Sequence, residues 1–203
     1  MTEKEIYVLN RALDGKDIYM LPPLDQSEMS ELIIHTVKEQ LILKRILSDY
    51  ATFTDAGIRF CKKLKLYKEA NRYLTVGNIT VGIRDDNKNV MLMYNPFLNE
   101  YKLKYIQKTD WVKDIAGAYS FIGGNNSVYE EEDIEMSQNM FEERYRLKHD
   151  NSVVIKTFAK ETYRKYMVFS VQNELYLYDY NERRLYKRML QGLSELLRER
   201  VGV

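Results

Sequence analysis

Apolar positions recur at three- and four-residue steps through Met29, Leu32, Ile33, Val37 and Leu41, the stripe of an amphipathic helix. The spacing predicts a helix over about 26–45. Asp25 offers the capping carboxylate and Glu28 the reciprocal one, while Leu24 and Met29 form a hydrophobic staple. Pro22 and Pro23 keep the preceding chain extended. Upstream, Ile6, Leu9 and Leu13 predict a short helix or strand ended by the turn pair Asp14-Gly15. Downstream, Thr54 caps a second helix whose buried stripe is Ile58, Cys61, Leu64 and Tyr67.

The period then shortens to two. Ile79, Val81 and Ile83 alternate with smaller or polar residues up to the turn Asp85-Asp86-Asn87-Lys88. Val90, Leu92 and Tyr94 do the same up to Asn95-Pro96-Phe97-Leu98-Asn99, and Tyr101, Leu103 and Tyr105 follow. Three strands with turn-rich links predict an antiparallel meander with one face buried. Thr109-Asp110 offers a cap for a short helix bearing Trp111, Val112, Ile115 and Ala116, and a Gly/Asn-rich loop follows at 117–130. The acidic run Glu130-Glu131-Glu132-Asp133 with Glu135 suits a first helical turn, leading to a helix with Met136, Met140, Phe141, Tyr145 and Leu147. Strands opening at Val153, running Tyr163 to Val171, and spanning Leu175 to Tyr178 come next, with Gln172-Asn173 as a tight link. A closing helix carries Leu185, Met189, Leu193, Leu196, Leu197 and Val201. The expected class is α+β, an antiparallel sheet flanked by helices. The order helix, three strands, helix occurs twice, which reads as a quasi-two-fold duplication or as coincidence. The length of 203 residues suits one domain over 1–203, with sublobes 1–120 and 127–203.

Composition narrows the function classes. The formal charge is +1, without the basic excess of a general nucleic-acid binder. The longest apolar runs fall far short of the roughly 20 residues needed to span a bilayer, so stable membrane insertion is not expected. Met1-Thr2-Glu3-Lys4-Glu5 lacks the basic and apolar regions of a signal peptide. The single cysteine, Cys61, excludes an internal disulfide and fits a reducing compartment, so a cytoplasmic location is expected.

The chemical candidates are sparse. His35 and His149 stand apart, without metal-ligand spacing, and Cys61 on an apolar helix face reads as an inert thiol. The acidic run lacks the spacing of a calcium loop, and Gly123-Gly124 is followed by no Lys-Ser/Thr pair. No catalytic, metal or cofactor site is expected, and the chain reads as a non-enzyme. The face bearing Arg59, Lys62, Lys63, Lys65, Lys68 and Arg72 is the most basic stretch. It reads as a solvated face or a dock for an acidic partner. As the alternative, it is the recognition helix of a winged-helix DNA-binding regulator. The 17 tyrosines gather in the strand segments, where they either decorate a half-exposed sheet or form a recognition surface.

One resemblance adds to this. Tyr7-Val8-Leu9-Asn10-Arg11-Ala12-Leu13-Asp14-Gly15 is followed by Ile18-Tyr19-Met20-Leu21-Pro22 and a helix. Then come Leu41-Ile42-Leu43-Lys44-Arg45-Ile46-Leu47, Phe53-Thr54-Asp55-Ala56-Gly57, and a helix ending near Tyr67-Lys68-Glu69-Ala70. This order resembles the EspG family and the related EsaE-like accessory proteins of type VII (ESX) secretion systems. The resemblance implies a cytosolic chaperone with a quasi-two-fold α+β fold. It would bind a secreted substrate with paired helices and keep it export-competent by covering an apolar patch. No family signature residue transfers to a position here. The partner-binding candidates rest on physical grounds alone: the turn Asp85, Asp86, Asn87 and Lys88, and the loop Pro96, Phe97 and Leu98, whose apolar pair is unusual in a turn.

Overall fold

Thr2 opens the first helix, α1 (Glu3–Arg11), with a reciprocal capping box: its hydroxyl accepts from the Glu5 N–H, and Glu5 accepts from the Thr2 N–H. The computed structural model describes residues 1–23, 28–107, 110–122, 128–145, 149–160, 162–172 and 174–189. The chain is α+β, with a large antiparallel sheet and several helices. It divides into two compact units, Met1–Asn71 with Thr80–Ile106, and Arg72–Ile79 with the described residues from Gln107 onward.

In the first unit α1 is followed by α2 (Glu31–Leu43) and α3 (Asp55–Lys68). Leu9 of α1 packs with Val37 and Leu41 of α2 and with Leu47, and Phe53, Phe60 and Cys61 close the cluster from α3 and its approach. Thr54 caps α3 as its sequence predicts, accepting from the Gly57 N–H at 3.2 Å. Leu64 and Tyr67 are fully buried, and the Tyr67 hydroxyl donates to the Tyr19 carbonyl. After β1 (Arg72–Val76), which belongs to the second unit, come β2 (Ile79–Ile83), β3 (Asn89–Asn95) and β4 (Glu100–Ile106), the predicted meander, in the order β4-β3-β2. Leu92 lies opposite Leu103, and Tyr94 opposite Tyr101.

The second unit contains α4 (Trp111–Ala118), β5 (Val128–Glu135), α5 (Gln138–Tyr145), β6 (Asn151–Ala159), β7 (Thr162–Val171), β8 (Glu174–Asp179) and β9 (Arg184–Met189). Its strand order is β1-β6-β7-β8-β9-β5. Phe141 of α5 stacks flat on Tyr178 of β8 with ring centroids 3.9 Å apart, and Met136, Met167, Phe169 and Leu185 complete the core. The turn after β1 requires Gly77 at φ +54°, and a Cβ there would collide with the Tyr119 hydroxyl, which accepts from the Asn78 N–H.

Several expectations are corrected. The helix predicted over 26–45 begins at Glu31, where Ser30 is the cap. Residues 24–27, and with them the Asp25 cap and the Leu24 staple, lie outside the described residues. The acidic run forms strand β5 instead of a helical turn. Arg72 belongs to β1 and not to the basic helix. The closing helix is not helical at its start, because Leu185 and Met189 belong to β9. Leu185 lies opposite Tyr178 and Tyr186 opposite Leu177, and both Leu185 and Tyr186 are buried. A strand covered on both faces shows no alternation, and its spacing imitates a helix. Among the described residues of the second unit, four strands, β6 to β9, follow α5 where the sequence order has three. The cap at Thr109, the loop at Gly123–Ser127, Leu147, Asn173, and Leu193, Leu196, Leu197 and Val201 lie outside the described residues. Among the described residues, no helix is long and apolar enough to cross a membrane.

Candidate functional site

The two predicted partner-binding segments are the hairpin turns at opposite ends of β3. Six strand steps separate those ends by about 20 Å, so they belong to different surfaces. The β2–β3 turn satisfies itself. Arg84 Nε donates to Asp86 at 3.0 Å, and its guanidinium also reaches Glu69. Asp86 accepts from the Lys88 N–H, and Asn71 donates to Asp85. Asn87 takes φ +59°, a conformation asparagine tolerates. The Arg84 hydrogen bond and the Lys88 N–H hold the Asp86 carboxyl below its ordinary value. These groups are spent on shaping the turn.

The β3–β4 turn differs. Asn95 Oδ1 accepts from the N–H groups of Phe97 and Leu98, and Tyr94 donates to Asn99, which sits at φ +49°. The backbone is therefore pinned while the side chains stand out: Phe97 is 97% exposed and Leu98 66%. Core packing does not account for this pair.

Beside this turn, helix α2 presents an outer stripe. Val37 and Leu41 face the core, whereas Leu32 and Leu43 are 76% and 82% exposed. Eleven residues of helix are close to three full turns, so Leu32 and Leu43 share one face. Placing Leu32 in the buried stripe is thereby corrected. A groove of about 620 Å³ runs along this helix, lined by Leu32, Ile33 and Thr36, by Thr2 and Lys4 of the first helical turn, and by Asn99 of the β3–β4 turn. Glu3 and Glu28 make one part of its wall acidic. Partial burial, and then the charge of Glu28, raise the Glu3 carboxyl above its ordinary value.

An ion network fixes the groove walls. Lys44, at the end of α2, donates to the fully buried Glu5 at 3.0 Å and to Glu100 of β4 at 3.2 Å. Burial works against the Lys44 charge, but the bonds to Glu5 and Glu100 outweigh it and raise its pKa. The Lys44 bond and the adjacent amino terminus lower that of Glu100. Glu5 escaped the sequence reading, as did the outward exposure of Leu32 and Leu43. The Thr2-Glu3-Lys4-Glu5 spacing is a capping-box signal that could have revealed Glu5. The exposure of the two leucines has no local signal.

The basic helix is partly occupied. Lys68 is held by Asn10, Asp14 and the Lys16 carbonyl, and Lys63 donates to the Leu103 carbonyl beneath the Tyr105 ring. Lys65 pairs with Glu69. His35 lies against Tyr50 and near Glu39, and burial raises the Cys61 thiol, which favours its neutral form. Among the described residues, no group of His, Cys, Asp and Glu is arranged to hold a metal ion.

In comparison with known proteins, residues 1–202 match the model of the family described as "Domain of unknown function (DUF5081)". No curated protein matches the chain.

Proposed function

The chain belongs to the DUF5081 family, and for it we propose a binding role: a non-enzymatic adaptor that holds an amphipathic helical segment of another polypeptide along α2. The observation that carries this reading is the exposure of Leu32 on a groove that Asn99 also lines, at the end of the turn whose Phe97 and Leu98 stand exposed. Apolar anchors spaced along a helix fit such a groove. The acidic wall of Glu3 and Glu28 favours a basic residue at one end of the guest. The resemblance to the EspG and EsaE-like accessory proteins makes a cytoplasmic type VII secretion substrate with paired helices the first partner to test. Covering the apolar face of such a substrate would keep it soluble until export.

The test is a pull-down from native cytosol with the full chain, in parallel with Leu32→Lys and Phe97→Ser/Leu98→Ser. A partner with paired helices that is retained by the native chain and lost from both variants supports the role. Retention by both variants, with the fold intact, overturns it.

A further inference from the structure

Glu3 lines two cavities at once. One is the groove along α2, and the other, of about 170 Å³, opens between α1 and residues 15–23. Tyr7, Ile18, Leu21 and Pro22 give this second cavity its apolar wall. Glu3 and Tyr7 stand four residues apart in α1, so they share a face of that helix. Neither side chain has a hydrogen-bond or ion-pair partner among the described residues. Partial burial and the charge of Glu28 raise the Glu3 carboxyl, and Lys4 beside it does not make up the difference.

The pocket's other polar groups are balanced. The Asn10 amide donates to the Lys16 carbonyl, and its oxygen accepts from Lys68, which Asp14 also holds. Lys16 and Asp17, both exposed, bring opposite charges. Glu3 is the charge left over, where pocket and groove meet. A cavity well below the roughly 300–1,000 Å³ of small-molecule sites takes one long side chain. An apolar side chain there would dry Glu3 without pairing it, and an anionic one would be repelled. Arginine answers both walls: its stem covers the apolar side, while its flat guanidinium rests on Tyr7 and forks onto Glu3. A lysine ammonium is more strongly hydrated and offers no fork.

We propose that this pocket receives an arginine side chain of the polypeptide held along α2, paired with Glu3 and covered by Tyr7. The inference rests on the binding role proposed for the groove and adds the residue its guest must carry. It also gives the guest a direction. Its arginine lies beyond Glu3, at the first turns of α1, and its apolar anchors lie against Leu32 and Ile33.

Two-dimensional NMR of the full chain, titrated with acetylarginine methylamide, tests the pocket without the guest. The amide signals of Glu3, Tyr7 and Ile18 should shift and saturate. Acetylcitrulline methylamide, the uncharged isostere, should leave them in place, and the acetyllysine methylamide with a free side-chain amine should bind more weakly. Glu3→Gln should weaken arginine binding about fivefold or more, and Tyr7→Leu should weaken it too, with circular dichroism confirming the fold of both variants. No saturable shift with the arginine probe, an equal response to the citrulline or lysine probe, or undiminished binding by Glu3→Gln overturns the proposal. The two readings fail separately. Absent shifts alongside a captured partner strike the arginine pocket and leave the adaptor role. Shifts without any captured partner strike the adaptor role and, with it, the guest.

Discussion

Lys44 Nζ lies 3.0 Å from Oε2 of Glu5, a carboxylate with no solvent exposure whose Oε1 has no hydrogen-bond partner among the described residues. The pair links the first helix to the end of α2, and Lys44 extends it to Glu100. Breaking it from the lysine side strands a buried charge. Lys44→Met should cost about 3 kcal/mol, measured by urea denaturation. The double variant Lys44→Met/Glu5→Met should recover most of that loss, because an apolar pair needs no counter-charge. Equal losses in the single and double variants would contradict this account.

The same network sets a response to acid. The Glu100 carboxyl titrates below its ordinary 4.5 in the folded chain, so its contribution is present above about 4.5 and disappears as pH falls through the lower folded value. Glu3, raised by burial, acts in the opposite sense, because its protonation favours the folded state. Glu100→Gln should therefore flatten the acid limb of a stability-versus-pH curve. An unchanged limb would show that the ion pair contributes nothing there.

At the β1–β2 turn, Gly77→Ala meets two obstacles, the positive φ and the Tyr119 hydroxyl. The loss should exceed about 1 kcal/mol. Tyr119→Phe should cost about 1 kcal/mol by releasing the Asn78 N–H. Thermal and urea unfolding of both variants check the ranking.

In the second unit, Phe141→Ala removes a side chain only 1% exposed and stacked on Tyr178, and should cost about 3–5 kcal/mol. Tyr178→Phe keeps the ring but leaves the Met136 carbonyl without the donor that now sits 2.9 Å away. That loss should be smaller, about 1–3 kcal/mol. Denaturant midpoints separate the two cases.

Surface substitutions at the α2 groove should separate binding from stability. Leu32→Lys and Phe97→Ser alter exposed side chains, so unfolding free energies should shift by no more than about 0.5 kcal/mol. Isothermal titration with the captured partner should nevertheless show weakened affinity. A large stability loss would mean that these residues serve the fold.

Part of this architecture was legible because its signals are local. Thr54 caps α3 through its own hydroxyl, and the alternation from Ile79 to Tyr105 matches β2, β3 and β4. The β3–β4 turn was legible as a candidate because Phe97 and Leu98 are out of place in a turn. The β2–β3 turn looked similar in sequence, yet Arg84, just past β2, ties up its Asp86 carboxylate.

By itself the sequence determined the α+β class, the second strong helix and the meander, since caps, turns and alternation act within a few residues. Only the tertiary structure decided that Leu185 lies in a strand, that Leu32 faces outward while Val37 faces the core, and that Glu5 is buried against Lys44. Each of those depends on which surface packs over a segment. Burial on both faces erases the period of a strand, and a helix offers more apolar residues than one neighbour can cover.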